Sequence, residues 1–232
     1  MKLYNLFVEY YDTIFPLKEP TLRFLSKHLS AAKKVLDIGC ATGNIALNLS
    51  NNKSIHAIDL SEAMIKKAKD KNQHHAVHFE VKNMLEIEDH SVYEGIYMVG
   101  NTLVHLTNLT LIEKMIEKIY KALKVQGKFI IQIINYDRIL AKNIDHLPTI
   151  DQGGVTFIRN YQFNQPLIHF NTTLHIKDKV INASTPLYPL TKDELLTCLE
   201  NVGFKDIKLF GDYQENPYHK DTSFHLIVVA KK

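Results

Sequence analysis

The chain has 232 residues, of which 45% are hydrophobic and 23% are charged, so it can bury the core of one large domain. The net charge is only +3 and no run of about five like charges occurs, which does not favour a protein that binds nucleic acid. No uncharged apolar stretch approaches the roughly 18 residues that cross a membrane, and Met1–Phe15 lacks the apolar segment of a signal peptide. We therefore expect a soluble cytoplasmic protein without nucleic-acid or membrane partners.

The cysteines argue against a metal or redox centre. Cys40 and Cys198 lie far apart and cannot form a CxxC motif. We expect two reduced thiols, as is usual in the cytosol, and no metal site.

Predicted helices and strands alternate in the first part of the chain, which favours a parallel sheet covered by helices on both faces. In chain order they are a helix over Pro20–Leu29, a strand over Lys34–Ile38, a helix over Asn44–Leu49, a strand over Ser54–Ile58, a helix over Glu62–Lys71, strands over Val77–Val81 and Gly95–Val99, a helix over Leu109–Leu123 and a strand over Lys128–Ile134. The helix over Leu109–Leu123 carries the clearest apolar stripe.

A different pattern follows this last strand. Apolar and polar residues alternate over Val155–Leu187, with turn residues at Asn164–Pro166, which predicts an antiparallel β-meander inserted at about residues 150–188. Thr191 and Glu194 then form a capping box that opens a helix ending at Gly203. Strands over Lys205–Phe210 and Ser223–Ala230 complete a doubly wound, mostly parallel seven-stranded sheet.

The most informative segment is the glycine-rich turn within Val35–Asn44, which joins a buried strand to a helix. This geometry is typical of cofactor binding at the carboxyl edge of a parallel sheet. The turn lacks the lysine and the spacing of a phosphate-binding Walker loop. Ala41 and Asn44 replace glycines of the dinucleotide motif GxGxxG, so the turn does not favour an NAD-dependent oxidoreductase.

An acidic residue follows at the end of the second strand, about 20 residues after Gly39. The Asp59 carboxylate can accept hydrogen bonds from both hydroxyls of a ribose, because it offers two acceptor oxygens. The alternative is a charge at the N-terminus of the helix that Ser61 caps.

The segment VLDIGCATGN, followed by AIDLSEAMIKKAK, resembles motifs I and II of the class I S-adenosylmethionine-dependent methyltransferases. The resemblance covers nearly the whole chain, with Val99–Leu106 at the motif IV position. It departs from the family at Val125, Gln126 and Lys128 around the start of the fifth strand, and it lacks the frequent central glycine of motif I. It implies a single Rossmann-like methyltransferase domain over residues 1–232, with S-adenosylmethionine as cofactor and S-adenosylhomocysteine as product. The implied cofactor-binding residues are Asp37, Gly39, Cys40, Ala41, Gly43, Asp59, Leu60, Met64, Asn83, Met84, Gly100 and Asn101.

The resemblance also assigns parts of the cofactor to these residues. The turn after the first strand would surround the methionine end, and Asp59 would hold the ribose. Leu60 and Met64 would flank the adenine, Met84 would cover its other face and Asn83 would be a polar contact. Core packing is the alternative for both methionines.

The β-meander and an N-terminal helical lid over residues 1–30 resemble the substrate-covering parts of glycine and sarcosine N-methyltransferases. Candidate substrate residues are Tyr11, Asn101, His105, Tyr136 and Arg159. For His105 the alternative is a structural histidine, and for Arg159 an exposed strand arginine. Methyl transfer needs an aligned acceptor more than a dedicated base, so no catalytic residue is assigned.

The expected activity is methyl transfer to a nitrogen or oxygen of a small molecule, by a monomer or homodimer. Gly100–Leu103 does not match the [DN]PP[YFW] motif of nucleic-acid N-methylation, and no carboxylate cluster after the fourth strand supports metal-dependent O-methylation. Two cysteines are too few for a radical iron–sulfur mechanism. The alternative is a non-catalytic protein that binds S-adenosylmethionine and regulates or docks a partner.

Overall fold

Two β-sheets organise the chain, of which the computed structural model describes residues 7–73 and 76–232. The strands are, in chain order, β1 (Lys34–Ile38), β2 (Ser54–Asp59), β3 (Val77–Val81), β4 (Tyr93–Met98), β5 (Leu123–Ile134), β6 (His146–Gln152), β7 (Val155–Asn164), β8 (Leu167–Ile176), β9 (Lys179–Leu187), β10 (Lys205–Phe210) and β11 (His225–Lys231). The large sheet has seven strands in the order β10-β11-β5-β4-β1-β2-β3. Its strands are parallel from β5 to β3, and only β10 and β11 are antiparallel to their neighbours, which confirms the predicted fold class.

Helices cover both faces of this sheet, as the alternating pattern predicted. They are α1 (Tyr11–Ile14), α2 (Glu19–His28), α3 (Asn44–Leu49), α4 (Glu62–Lys71), α5 (Leu109–Ala122), α6 (Tyr136–Ala141) and α7 (Lys192–Val202). The apolar stripe of α5 packs with α7 on one face, and α2, α3 and α4 pack on the other. The predicted capping box of Thr191 and Glu194 opens α7, and Gly203 ends it with a φ of 103°.

The second sheet is antiparallel, with the order β6-β7-β8-β9, so it has one strand more than the predicted meander. The strand that sequence reasoning missed is β6, which pairs only with β7 and leaves most of its residues partly or fully exposed. It also contains Pro148, which a strand tolerates at a sheet edge but which weakens the strand signal in the sequence. The short helix α6 was missed as well, and Asn135 caps its N-terminus by accepting a hydrogen bond from Arg138 N.

The N-terminal segment packs on this second sheet. The ring of Phe157 on β7 lies 5.4 Å from Phe7 and 5.7 Å from Phe15. Ile14 joins the same apolar cluster, together with Leu174 on β8. Residues 1–6 of the expected lid lie outside the described residues.

Among the described residues, no helix has both the length and the apolar character needed to cross a membrane.

Candidate active site

A cavity of about 950 Å³ opens where the order of the parallel strands reverses. The chain continues from β1 to β2 and β3 on one side and then crosses to β4 on the other, so the loops after β1 and β4 diverge. Ligands of open α/β sheets bind at such a point. Both loops line the cavity, and so do the N-terminal segment, the inner face of the second sheet and the loop between β10 and β11.

The loop after β1 depends on two glycines with positive φ. Gly39 has a φ of 79°, and a Cβ atom there would lie 2.5 Å from Cγ2 of Thr102 in the loop after β4. Gly43 has a φ of 77°, and its Cβ atom would lie 2.5 Å from Cζ of Phe79 on β3. The glycines therefore let this loop approach its neighbours more closely than any side chain allows.

We expect Gly39→Ala to lower the free energy of unfolding by roughly 2–4 kcal/mol, because it adds a steric clash to backbone strain. The Thr102 side chain cannot rotate freely out of the way, since its hydroxyl donates a hydrogen bond to Val99 O at 3.0 Å. Urea denaturation measures the change. Gly154→Ala is the control, because Gly154 has a φ of 75° but no atom within 4 Å of its Cβ position. Equal losses in the two variants would show that crowding at Gly39 is unimportant.

Asp37 is a buried carboxyl group in the cavity wall. Its side chain lies at the end of β1 and accepts a hydrogen bond of 2.7 Å from the hydroxyl of Tyr97. Burial raises the pKa of Asp37 to about 8, a rise that the Tyr97 hydrogen bond opposes and the nearby Asp59 increases. Such a group favours a positively charged ligand, which would stabilise its ionised form.

Asp59 ties the turn after β1 to the end of β2. One carboxylate oxygen accepts a hydrogen bond from Ala41 N and the other from Ser61 N, each at 2.9 Å. Burial raises the pKa of Asp59, and these backbone hydrogen bonds oppose the rise. The backbone N–H of Leu60 also donates to this carboxylate, whose two oxygens have about four acceptor sites in all, so it can still accept a hydroxyl donor.

The loop after β4 is held by polar contacts to β5 and α6. Gly100 N donates to Oε1 of Gln132 at 2.8 Å. Nδ2 of Asn101 donates to the hydroxyl of Tyr136 at 2.9 Å, and its Oδ1 accepts from Ile134 N at 3.0 Å. Both functional groups of Asn101 therefore serve to fix this loop at the cavity.

Two basic residues line the cavity, one after β4 and one on β7. Burial lowers the pKa of the half-buried His105 to about 4, so its imidazole is neutral at pH 7. Arg159 on β7 is half-buried rather than exposed, and burial lowers its pKa. Its Nη2 donates to Pro148 O, while its buried Nε has no hydrogen-bond partner among the described residues. No carboxylate of the described part of the chain forms an ion pair with this guanidinium.

The predicted site residues divide into two groups. Those that line the cavity are Tyr11, Asp37, Gly39, Cys40, Ala41, Gly100, Asn101, His105 and Arg159. Those outside its lining are Gly43, Asp59, Leu60, Met64, Asn83, Met84 and Tyr136. Met64 is only 1% exposed and Leu60 is 43% exposed, whereas the Asn83 side chain caps a 3-10 helix over Met84–Glu86. Tyr136 lies under the cavity wall, where it contacts Asn101.

Sequence reasoning did not assign Asp12, which directly follows the candidate substrate residue Tyr11. Its carboxylate accepts hydrogen bonds from Thr42 Oγ1, from Asn44 Nδ2 at 3.0 Å and from Lys71 Nζ at 3.0 Å. These contacts tie α1 to the turn after β1 and to α4. The sequence does not reveal these contacts, because the partner residues are far from Asp12 along the chain. Its position next to the candidate residue Tyr11 was the only sequence feature that pointed to Asp12.

Sequence reasoning also missed the loop between β10 and β11. Tyr213, Asn216 and His225 of this region line the cavity, and the Tyr213 hydroxyl donates to Oε1 of Gln132 at 3.4 Å. Burial lowers the pKa of His225 to about 4. This loop is irregular and carries no periodic signal, so only its content of tyrosine and histidine could have marked it.

Comparisons with known proteins agree with this geometry. The family model described as a methyltransferase domain matches residues 29–203. The chain is 28% identical to a glycine/sarcosine N-methyltransferase of Aphanothece halophytica, over 91% of this chain and 80% of that protein. It is 30% identical to a carboxy-S-adenosyl-L-methionine synthase of Helicobacter pylori, over 79% of this chain and 73% of that protein.

The fold itself also has a close counterpart among solved structures. An S-adenosylmethionine-dependent methyltransferase from Clostridium acetobutylicum has a TM-score of 0.84 and 17% identity, and the match covers 99% of this chain and 98% of that one. The cofactor of this enzyme is S-adenosylmethionine, and the buried Asp37 and the glycine turn fit its cationic, phosphate-free methionine end. The chain belongs to the methyltransferase-domain family and is a class I S-adenosylmethionine-dependent methyltransferase.

Proposed function

We propose that this enzyme methylates a nitrogen or oxygen atom of a small acceptor that carries a carboxylate group. The observation that carries the proposal is the Arg159 guanidinium, which lines the cavity and has a buried Nε without a partner among the described residues. A buried guanidinium is stable where it meets an anion, and its planar fork of donors matches a carboxylate.

The cavity has room for a cofactor and an acceptor together, since its volume of about 950 Å³ lies at the upper end for small-molecule sites. We assign the methionine end of the cofactor to the side formed by Asp37 and the turn after β1, and the ribose to the edge of that side, where Asp59 lies just outside the cavity lining and is bonded to Ala41 N. The acceptor molecule would occupy the side formed by His105 and Arg159, with Asn101 between the two ligands.

When bound, the cofactor supplies a methyl group on a positively charged sulfonium, a strong electrophile. A lone pair of the acceptor forms the new bond to the methyl carbon, and the electrons of the broken carbon–sulfur bond remain on sulfur. The protein then has to align the acceptor and exclude water. The neutral imidazole of His105 can accept a hydrogen bond from the N–H or O–H group of the acceptor, orient its lone pair and take up the proton that this group loses on methylation.

Exclusion of water is the role that we propose for the N-terminal lid and the second sheet. Phe7 and Phe15 pack on Phe157, while Asp12, which lies between them in the sequence, joins this segment to the turn after β1. The lid therefore contacts both the proposed acceptor side and the proposed cofactor side of the cavity.

Pairs of acceptors, each an acid and its amide, test the proposal. The purified enzyme is given S-adenosylmethionine with a labelled methyl group and a panel of glycine, sarcosine and larger amino acids, each beside its amide. We expect transfer to at least one acid, with kcat/KM for its amide lower by about 100-fold or more, because the amide leaves the Arg159 charge unpaired. The similarity to a glycine/sarcosine N-methyltransferase is the reason to begin with these acids.

Equal rates with acids and amides would contradict the carboxylate assignment while leaving the methyltransferase activity intact. A neutral amine or phenol that is methylated faster than every acid would also contradict it. Binding of S-adenosylmethionine to the same preparation, measured by calorimetry, shows that the enzyme is folded and able to react.

A further inference from the structure

A cluster of two histidines and a glutamate lies outside the cavity, on the strands β2 and β3. His56 on β2 is in register with His78 on β3, and Glu80 follows two residues after His78. Side chains two residues apart on a strand point to the same face, so all three side chains share one face of the sheet. The strand β3 is at the edge of the sheet, and neither histidine lines the cavity.

The distances between these side chains suit a single metal ion. One possible ligand atom from each residue lies within 4.8 Å of those of the other two. Nε2 of His56 is 2.8 Å from Oε2 of Glu80, and the two imidazole rings are 4.9 Å apart. Bonds of about 2.0–2.1 Å to zinc in a tetrahedron place ligand atoms roughly 3.3–3.5 Å apart. The side chain of His78 is exposed, so a small rotation brings it to this distance.

Tyr93 fixes the imidazole of His56 in the orientation that a metal requires. The Tyr93 hydroxyl donates to Oδ1 of Asp89 at 3.4 Å, and Nδ1 of His56 lies 2.9 Å from the same hydroxyl oxygen. The hydroxyl of Tyr93 therefore holds the imidazole through Nδ1 and leaves Nε2 directed at the carboxylate of Glu80, at the length of an ordinary N–H···O hydrogen bond. A metal ion bound between Nε2 and this carboxylate would replace the proton that they share.

We propose that His56, His78 and Glu80 form a binding site for a divalent transition-metal ion of the zinc class. Two imidazoles and one carboxylate are a ligand set typical of zinc, and the hydrogen bond between His56 and Tyr93 is the outer contact that orients a metal-binding histidine. The ion links the edge strand β3 to β2, the strand that ends at Asp59. It therefore stabilises the sheet beside the proposed ribose site and takes no part in methyl transfer.

Titration of the metal-free protein with Zn²⁺, measured by calorimetry, tests this site. We expect one ion per chain at the tightest site, and His78→Ala to weaken its binding by at least about tenfold, as the loss of one of three ligands requires. His175→Ala is the matched control, because His175 is also an exposed histidine on a strand, and it should bind Zn²⁺ like the wild type.

Two further measurements complete the test. At the same Zn²⁺ concentration, the unfolding temperature should rise less in His78→Ala than in the wild type and in His175→Ala, because weaker binding to the folded state stabilises it less. Co²⁺ should give the visible absorption bands of a tetrahedral site in the same two proteins. Equal Zn²⁺ affinity in His78→Ala and His175→Ala, or no binding to the wild type, would overturn the proposal.

Discussion

Asp37→Asn should weaken the binding of S-adenosylmethionine by about 10-fold to 100-fold at pH 7.5, because a hydrogen bond to a charged group contributes roughly 1.5–3 kcal/mol. We propose that Asp37 receives the positive charge at the methionine end of the cofactor. The substitution keeps an oxygen that can accept the 2.7 Å hydrogen bond of Tyr97, so the fold should persist. Calorimetry measures the affinity, and Asp206→Asn is the control at an exposed strand position.

The wild type should release a proton when it binds S-adenosylmethionine, and Asp37→Asn should not. In the free enzyme burial raises the pKa of Asp37 to about 8, so this carboxyl group is mostly protonated below pH 7.5. A bound cation favours the ionised form, and the proton must therefore leave on binding. The affinity of the wild type should then rise by up to about tenfold per pH unit between pH 6 and 7.5, a window below the pKa of an ordinary α-amino group.

Calorimetry in two buffers with different ionisation enthalpies counts the released protons. We expect close to one proton for the wild type and for Asp206→Asn, and none for Asp37→Asn. If the wild type released no proton and its affinity did not change with pH, Asp37 would not face the charge of the cofactor.

Local signals explain why the large sheet could be predicted. The bounds of β1, α3, α4 and β3 follow from apolar periodicity, from the glycine turn and from Ser61, which caps α4 by accepting a hydrogen bond from Met64 N. Each signal lies within a few residues of the element that it marks. The edge strand β6 has no such local signal, because it is mostly exposed and contains Pro148.

The contacts that form the cavity were less predictable, since they join distant parts of the chain. Asp12 contacts Thr42 and Lys71, and no pattern in the sequence relates these three residues. Met64 was assigned to the adenine from the resemblance, yet it is 1% exposed and outside the cavity lining, so its contact with the adenine stays a prediction.

The position of Arg159 along β7 already predicted an inward-facing side chain, and its burial agrees with that prediction. On β7 it alternates in phase with Val155, Phe157 and Tyr161, which are all buried. An arginine in the inward phase of such a strand has to face the core or a ligand, because successive side chains point to opposite faces. The interpretation of Arg159 as an exposed residue did not take this alternation of side chains into account.

Arg159→Gln should lower kcat/KM for a carboxylate acceptor by about 100-fold to 5,000-fold, because removing one partner of a buried ion pair costs roughly 3–5 kcal/mol. The loss should fall mainly on KM for the acceptor, and the affinity for S-adenosylmethionine should stay within a factor of about two, since Arg159 lies on the proposed acceptor side. Arg23→Gln is the control, because the Arg23 side chain is 76% exposed and remote from the cavity lining.

Comparison of an acid with its amide separates recognition of the carboxylate from a structural role. Arg159 also donates a hydrogen bond to Pro148 O, so its loss could loosen β6 and slow every acceptor equally. Recognition predicts instead that Arg159→Gln slows the acid strongly and the amide little. Arg159→Lys keeps the charge but not the planar fork, and it should recover only part of the rate with the acid. Equal losses with acid and amide would assign Arg159 to the structure of the second sheet and leave the acceptor to be recognised by other residues of the cavity.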